Sequence, residues 1–125
     1  MLRAIDRVCG WLMILGSCGH TAGTLAGYPF MSQIFVWSLG TSLAGFLLGV
    51  LNIVRAGRSS DRTLAAITTA GTCCWVLVAL GFGKSINHFL DPRVAGNLAI
   101  AGALLVFCGV TLHRTNRPLS NAGAA

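Results

Sequence analysis

His20 is the residue of this sequence that is best suited to bind a ligand or to take part in chemistry. It stands inside the run 8–27, which contains no Asp, Glu, Lys or Arg. An imidazole in such surroundings can bind a ligand, or it can be satisfied by one hydrogen bond to a neighbouring helix. At about 100° per residue, Gly23 and Thr24 share a helical face with His20, and we expect this face to point into the protein. A pocket built from His20, Thr24 and Trp75 is therefore one hypothesis.

Haem and soft-metal sites are disfavoured by the spacing of their candidate ligands. A second axial imidazole for a haem would have to come from His88, which is expected in a loop. Cys18, Cys73 and Cys74 reach about the same depth as His20, but Cys18 and His20 point about 160° apart on one helix, and no CxxC pair occurs. We therefore expect no metal and no cofactor, and cysteines that pack as small apolar residues.

Enzymatic activity is disfavoured by missing carboxylates. The chain has no Glu, and Asp6, Asp61 and Asp91 are all expected where helices begin. Paired carboxylates, or a carboxylate that orients His20, cannot be assembled from this set. The segment 81–85 lacks the earlier glycine that a phosphate-binding loop requires. The sequence therefore predicts a protein that is not an enzyme.

The composition indicates the elements that position these residues. Hydrophobic residues make up 54% of the 125 residues and charged residues 10%, with a mean hydropathy of +0.74, which excludes an ordinary soluble domain. Four uncharged windows are each about as long as the roughly 20 residues that cross a bilayer as a helix. They are 8–27, 34–54, 63–83 and 94–113. The sequence predicts an all-α integral membrane protein whose four transmembrane helices form an antiparallel up-down bundle.

The basic residues are distributed as in a membrane topology, not as a nucleic-acid-binding stripe. Most of the nine Lys and Arg fall in the lead 1–7, the second connection and the polar tail 114–125, which we expect to be disordered. This asymmetry predicts that both termini are cytoplasmic, and a bacterial plasma membrane is the expected location. The basic side chains expected to contact anionic lipid headgroups are Arg55, Arg58 and Arg62.

The N-terminus permits a second interpretation. The stretch LGSC at 15–18 resembles the site at which bacterial lipoprotein signal peptides are cleaved, and cleavage before Cys18 would leave three helices. Asp6 is unfavourable in the first part of a signal peptide, and apolar sequence continues to Ala26 instead of turning polar. We therefore expect an unprocessed N-terminus.

Small residues repeat every fourth position along the expected helices, which favours close helix packing in lipid. The two clearest sets are Gly19, Gly23 and Gly27 on the first helix and Thr41, Gly45 and Gly49 on the second. The first set is also a candidate for contact between molecules. The favoured hypothesis is a small non-enzymatic accessory, assembly or homo-oligomeric membrane subunit. The alternative is a protein that binds or transports a small molecule, metal or lipid in a pocket around His20.

Overall fold

The computed structural model describes residues 1–58 and 60–115, and within them the chain is helical with short connections. The helices are α1 (Leu2–Gly27), α2 (Gln33–Gly57), α3 (Arg62–Ser85) and α4 (Pro92–Thr115). The prediction of four long helices is confirmed. Most of the expected lead 1–7 is the first part of α1, which begins at Leu2. Most of the expected tail 114–125 lies outside the described residues.

Two aspartates fix the starts of α3 and α4. The Asp61 carboxylate accepts a hydrogen bond from the backbone N–H of Leu64 at 2.9 Å, and Asp91 accepts one from the backbone N–H of Arg93 at 2.9 Å. Pro92 occupies the first position of α4, where its missing N–H costs no hydrogen bond. The Arg93 guanidinium hydrogen-bonds Asp91 and lowers the pKa of that carboxyl to about 2. These caps are the ones that the sequence predicts.

Helices that are adjacent in the chain pack against each other, and α4 also packs against α1, which closes the ring. The approach of α1 to α2 is closest where glycines meet. A Cβ on Gly49 would lie 3.0 Å from the carbonyl oxygen of Gly10 and 2.7 Å from Cγ1 of Ile14. A Cβ on Gly45 would lie 2.5 Å from Oγ of Ser17. Gly45 and Gly49 thus lie at the α1–α2 contact, and Gly10 is a partner that the sequence analysis did not single out.

The apolar centre of the bundle is small, and the outside is largely apolar. Met13, Leu48, Ala101 and Leu104 form a contiguous buried cluster there. Large apolar side chains face outward on every helix, such as Leu15 (62% exposed) and Leu77 (68% exposed). Such an exterior suits lipid rather than water. In the described part of the chain, α2, α3 and α4 are long and apolar enough to span a membrane, and α1 is not among these three.

Candidate functional site

Arg55 is fully buried although it lies in the last turn of α2. Its Nη2 donates to Oδ1 of Asp6 at 2.6 Å, which forms an ion pair between α2 and the start of α1. Its Nη1 donates to Oγ1 of Thr111 at 3.0 Å, and its Nε donates to Oδ1 of Asn52 at 3.3 Å. A guanidinium without solvent needs such partners, because an unpaired buried charge is costly. Arg55 therefore ties three helices together.

Asn52 extends these contacts to the remaining helix. Its Nδ2 donates to the carbonyl oxygen of Leu48 at 3.0 Å and to Oγ1 of Thr72 in α3 at 3.4 Å. The thiol of Cys108 in α4 lies 3.5 Å from Oδ1 of Asn52. We call Asp6, Asn52, Arg55, Thr72, Cys108 and Thr111 the Arg55 network. All four helices contribute to it, and within the described residues no buried side-chain nitrogen or oxygen lacks a partner.

The position of Arg55 corrects its expected role at lipid headgroups. A side chain with 0% exposure and three hydrogen-bonding residues around it does not reach a headgroup. Arg58 and Arg62, the other two arginines expected there, have exposed side chains. Asp6 was expected in the cytoplasmic lead 1–7 and instead lies buried beside Arg55. One feature of the sequence could have indicated that Arg55 is buried. Asn52 is an amide placed one helical turn before Arg55 in an apolar run.

His20 and Thr24 are brought together near the other end of α1. The Thr24 hydroxyl donates to the carbonyl oxygen of His20 at 2.9 Å and lies 2.8 Å from Oγ of Ser38 in α2. Nδ1 of His20 is 3.3 Å from Oγ1 of Thr24 and 3.4 Å from Oγ of Ser42. Thr24 is buried, whereas His20 is exposed. The shared face is as expected, but the imidazole lies at the surface of the bundle and does not point into it.

Nδ1 is the ring nitrogen of His20 that contacts protein, through Oγ1 of Thr24 and Oγ of Ser42. In the part of the chain that the structure describes, Nε2 makes no hydrogen bond with protein.

Trp75 has a different neighbourhood from His20 and Thr24. Its Nε1 donates to Oδ1 of Asn97 in α4 at 3.2 Å. Its ring packs over Gly45, where an added Cβ would lie 2.7 Å from Cη2. Among the described residues, Trp75 forms no hydrogen bond with His20 or Thr24. The indole thus has a structural partner of its own within the bundle.

One face of α1 is largely open, and the contact that it makes with α2 is the one between Nδ1 of His20 and Oγ of Ser42. This face consists of Gly16, Gly19, His20, Gly23 and Gly27, and we call it the α1 seam. A Cβ added to any of these four glycines would meet nothing within 4 Å, in contrast to Gly10 on the same helix. All five residues are exposed. The close packing expected at Gly19, Gly23 and Gly27 is therefore not made within this chain.

The thiols complete the inventory of reactive groups. All five cysteines are free, and Cys108 is the buried one. Across residues 1–58 and 60–115, no group of three or more His, Cys, Asp or Glu side chains is arranged to hold a metal ion. No protein family model, curated protein or solved structure matches the chain.

Proposed function

We propose that the chain is a small non-enzymatic membrane subunit that associates with a second copy of itself through the α1 seam. In this proposal it forms an up-down four-helix bundle in a bacterial plasma membrane, with both termini cytoplasmic. The observation that carries the proposal is the open seam. Its four glycines and His20 lie exposed on one face of a helix whose other face is already packed.

The physics of lipid favours a protein partner on this face. Apolar side chains gain little by leaving lipid, so helices associate where small residues let their backbones approach closely. The four glycines along this face of α1 expose backbone and provide a shallow surface for a second helix. An exposed imidazole adds a polar group that is unfavourable against hydrocarbon and that a neighbouring helix can satisfy by a hydrogen bond.

A second copy of the chain is the simplest occupant of the seam. A twofold interface places the same surface on both molecules, so it must be complementary to itself. A glycine face is flat and satisfies this condition. His20 lies on this face as well, so a twofold axis through the seam brings the polar groups of both copies close together.

Gly23→Leu is expected to abolish the dimer without lowering stability. The added Cβ meets nothing within 4 Å in the monomer, so we expect folding to be unaffected, but the side chain holds two seams apart. Native mass spectrometry in mild detergent gives the stoichiometry, and a thermal melt gives the stability. Gly40→Leu is the matched control, because Gly40 is also exposed and open but lies on α2. A dimer that persists in Gly23→Leu would contradict the proposal.

His20→Leu is expected to weaken the dimer about three- to twentyfold, the effect of losing one interhelical hydrogen bond of roughly 0.6–1.7 kcal/mol. The dissociation constant is measured by dilution in liposomes with fluorescently labelled protein. His20→Gln keeps a polar group at this position and should restore part of the affinity. Equal dimer affinity in wild type and His20→Leu would remove His20 from the interface.

The alternative, a ligand pocket around His20, predicts a different result for His20→Leu. A bound small molecule or metal would appear as extra mass in the native spectrum of the wild-type protein and would disappear in His20→Leu. The contacts of the other two residues favour the subunit. Thr24 is bonded to Ser38, and Trp75 is bonded to Asn97.

A further inference from the structure

A depression on α4 lies at the end of the bundle that holds the Arg55 network. It is open, has a volume of about 470 Å³, and is lined by Gly109, Val110, His113 and Arg114. Gly109 creates the notch, because a Cβ there would meet nothing within 4 Å. The depression is apolar toward the middle of the helix and basic toward its C-terminal end.

The same end of the bundle carries a concentration of positive charge. Asp6 pairs with Arg55, so the field is set by the exposed arginines around them. Arg55 also bonds Thr111, which places the last turns of α2 and α4 beside the start of α1. The exposed arginines at this end are Arg3, Arg7, Arg58, Arg62 and Arg114. The acidic residue near them, Asp61, is used to cap α3.

We propose that this depression binds one anionic phospholipid. The phosphate lies against the Arg114 guanidinium, and the upper part of an acyl chain lies in the notch over Gly109 beside Val110. Charge complementarity selects an anionic headgroup, since a net positive end attracts negative lipid by several-fold per arginine. The apolar half of the depression selects a lipid over a free phosphate ion, which has nothing to place against Val110.

The proposal is tested by native mass spectrometry of the protein released from nanodiscs of mixed phosphatidylglycerol and phosphatidylcholine. The wild-type protein should retain one phosphatidylglycerol in preference to phosphatidylcholine. Arg114→Gln should lower this occupancy about fivefold, the effect of one arginine near a membrane surface. Gly109→Leu should lower it as well, because the leucine occupies the notch at a position where an added Cβ meets nothing within 4 Å.

Two controls separate the site from general charge attraction. Gly96→Leu makes the same change at an open glycine on α4, far from the depression, and should bind as the wild type does. Inorganic phosphate in excess should leave the bound lipid in place. Equal occupancy in Gly109→Leu and wild type, equal retention of both lipids, or displacement by inorganic phosphate would each overturn the proposal.

Discussion

Arg55→Met is expected to destabilise the protein by about 3–5 kcal/mol, the cost of leaving one member of a buried ion pair without its partner. Methionine fills a similar volume, but the Asp6 carboxylate then remains buried without a counter-charge, and Asn52 and Thr111 lose a donor. The effect is measured as the free energy of unfolding in mild detergent, by titration with a denaturing detergent. A loss of this size is a large fraction of the roughly 5–15 kcal/mol by which a typical native protein is stable.

A matched variant and a rescue make this expectation specific. Arg58→Met removes an exposed arginine three residues further along the chain and should change stability by less than about 0.5 kcal/mol. Adding Asp6→Leu to Arg55→Met removes both charges and should recover at least half of the loss, because apolar replacement of a buried pair is often tolerated. Arg55→Met as stable as Arg58→Met would show that the ion pair is not needed.

Gly49→Leu is expected to cost about 3 kcal/mol or more, at the upper end of what overpacking a core costs. Its Cβ alone would lie 2.7 Å from Cγ1 of Ile14 and 3.0 Å from the backbone oxygen of Gly10. The isoleucine side chain can move, but the carbonyl cannot, so α1 and α2 must separate. Thermal unfolding in detergent, followed by circular dichroism, measures the loss.

The control for Gly49 is Gly40 on the same helix. Gly40→Leu adds the same atoms where an added Cβ meets nothing, and it should leave the melting temperature unchanged or slightly higher, because leucine favours a helix more than glycine does. Ile14→Ala combined with Gly49→Leu should remain well below wild type, because the Gly10 carbonyl is still in the way. Equal melting temperatures for Gly49→Leu and Gly40→Leu would contradict the close α1–α2 contact.

Helix positions were predictable because they depend on local sequence. The expected spans 34–54, 63–83 and 94–113 fall inside α2, α3 and α4, and Asp61 and Asp91 cap the helices that they were expected to cap. Charge runs, caps and hydropathy are properties of neighbouring residues. The same rules do not say which helices meet.

The Arg55 network was not predictable because its members are far apart in the chain. Asp6 and Arg55 are separated by 49 residues and each lies near the end of an apolar run, where a charged side chain normally reaches water or headgroups. Their pairing depends on how α1 docks on α2, which is fixed at Gly10 and Gly49. A search for one acid and one base at the same end of two adjacent spans would have proposed the pair.

The periodicity of α1 defines a face of the helix but not what that face contacts. It places Gly19, His20, Gly23 and Gly27 together, and a Cβ added at any of the three glycines would meet nothing within 4 Å. The periodicity does not distinguish a face that packs inside the chain from one that meets another molecule. Gly10 on α1 and Gly49 on α2 make the internal contact, and the seam stays exposed.

Disulfide trapping in native membranes tests the seam most directly. The exposed native cysteines Cys18, Cys73 and Cys74 are first replaced by serine, and one new cysteine is then introduced at Gly23 or at Leu25. Leu25 is 61% exposed and lies about 160° away from Gly23 on α1, so it faces lipid in either case. Under mild oxidation, Gly23→Cys should give a covalent dimer and Leu25→Cys should stay monomeric. Monomer in both variants, or equal cross-linking in both, would contradict association through the α1 seam.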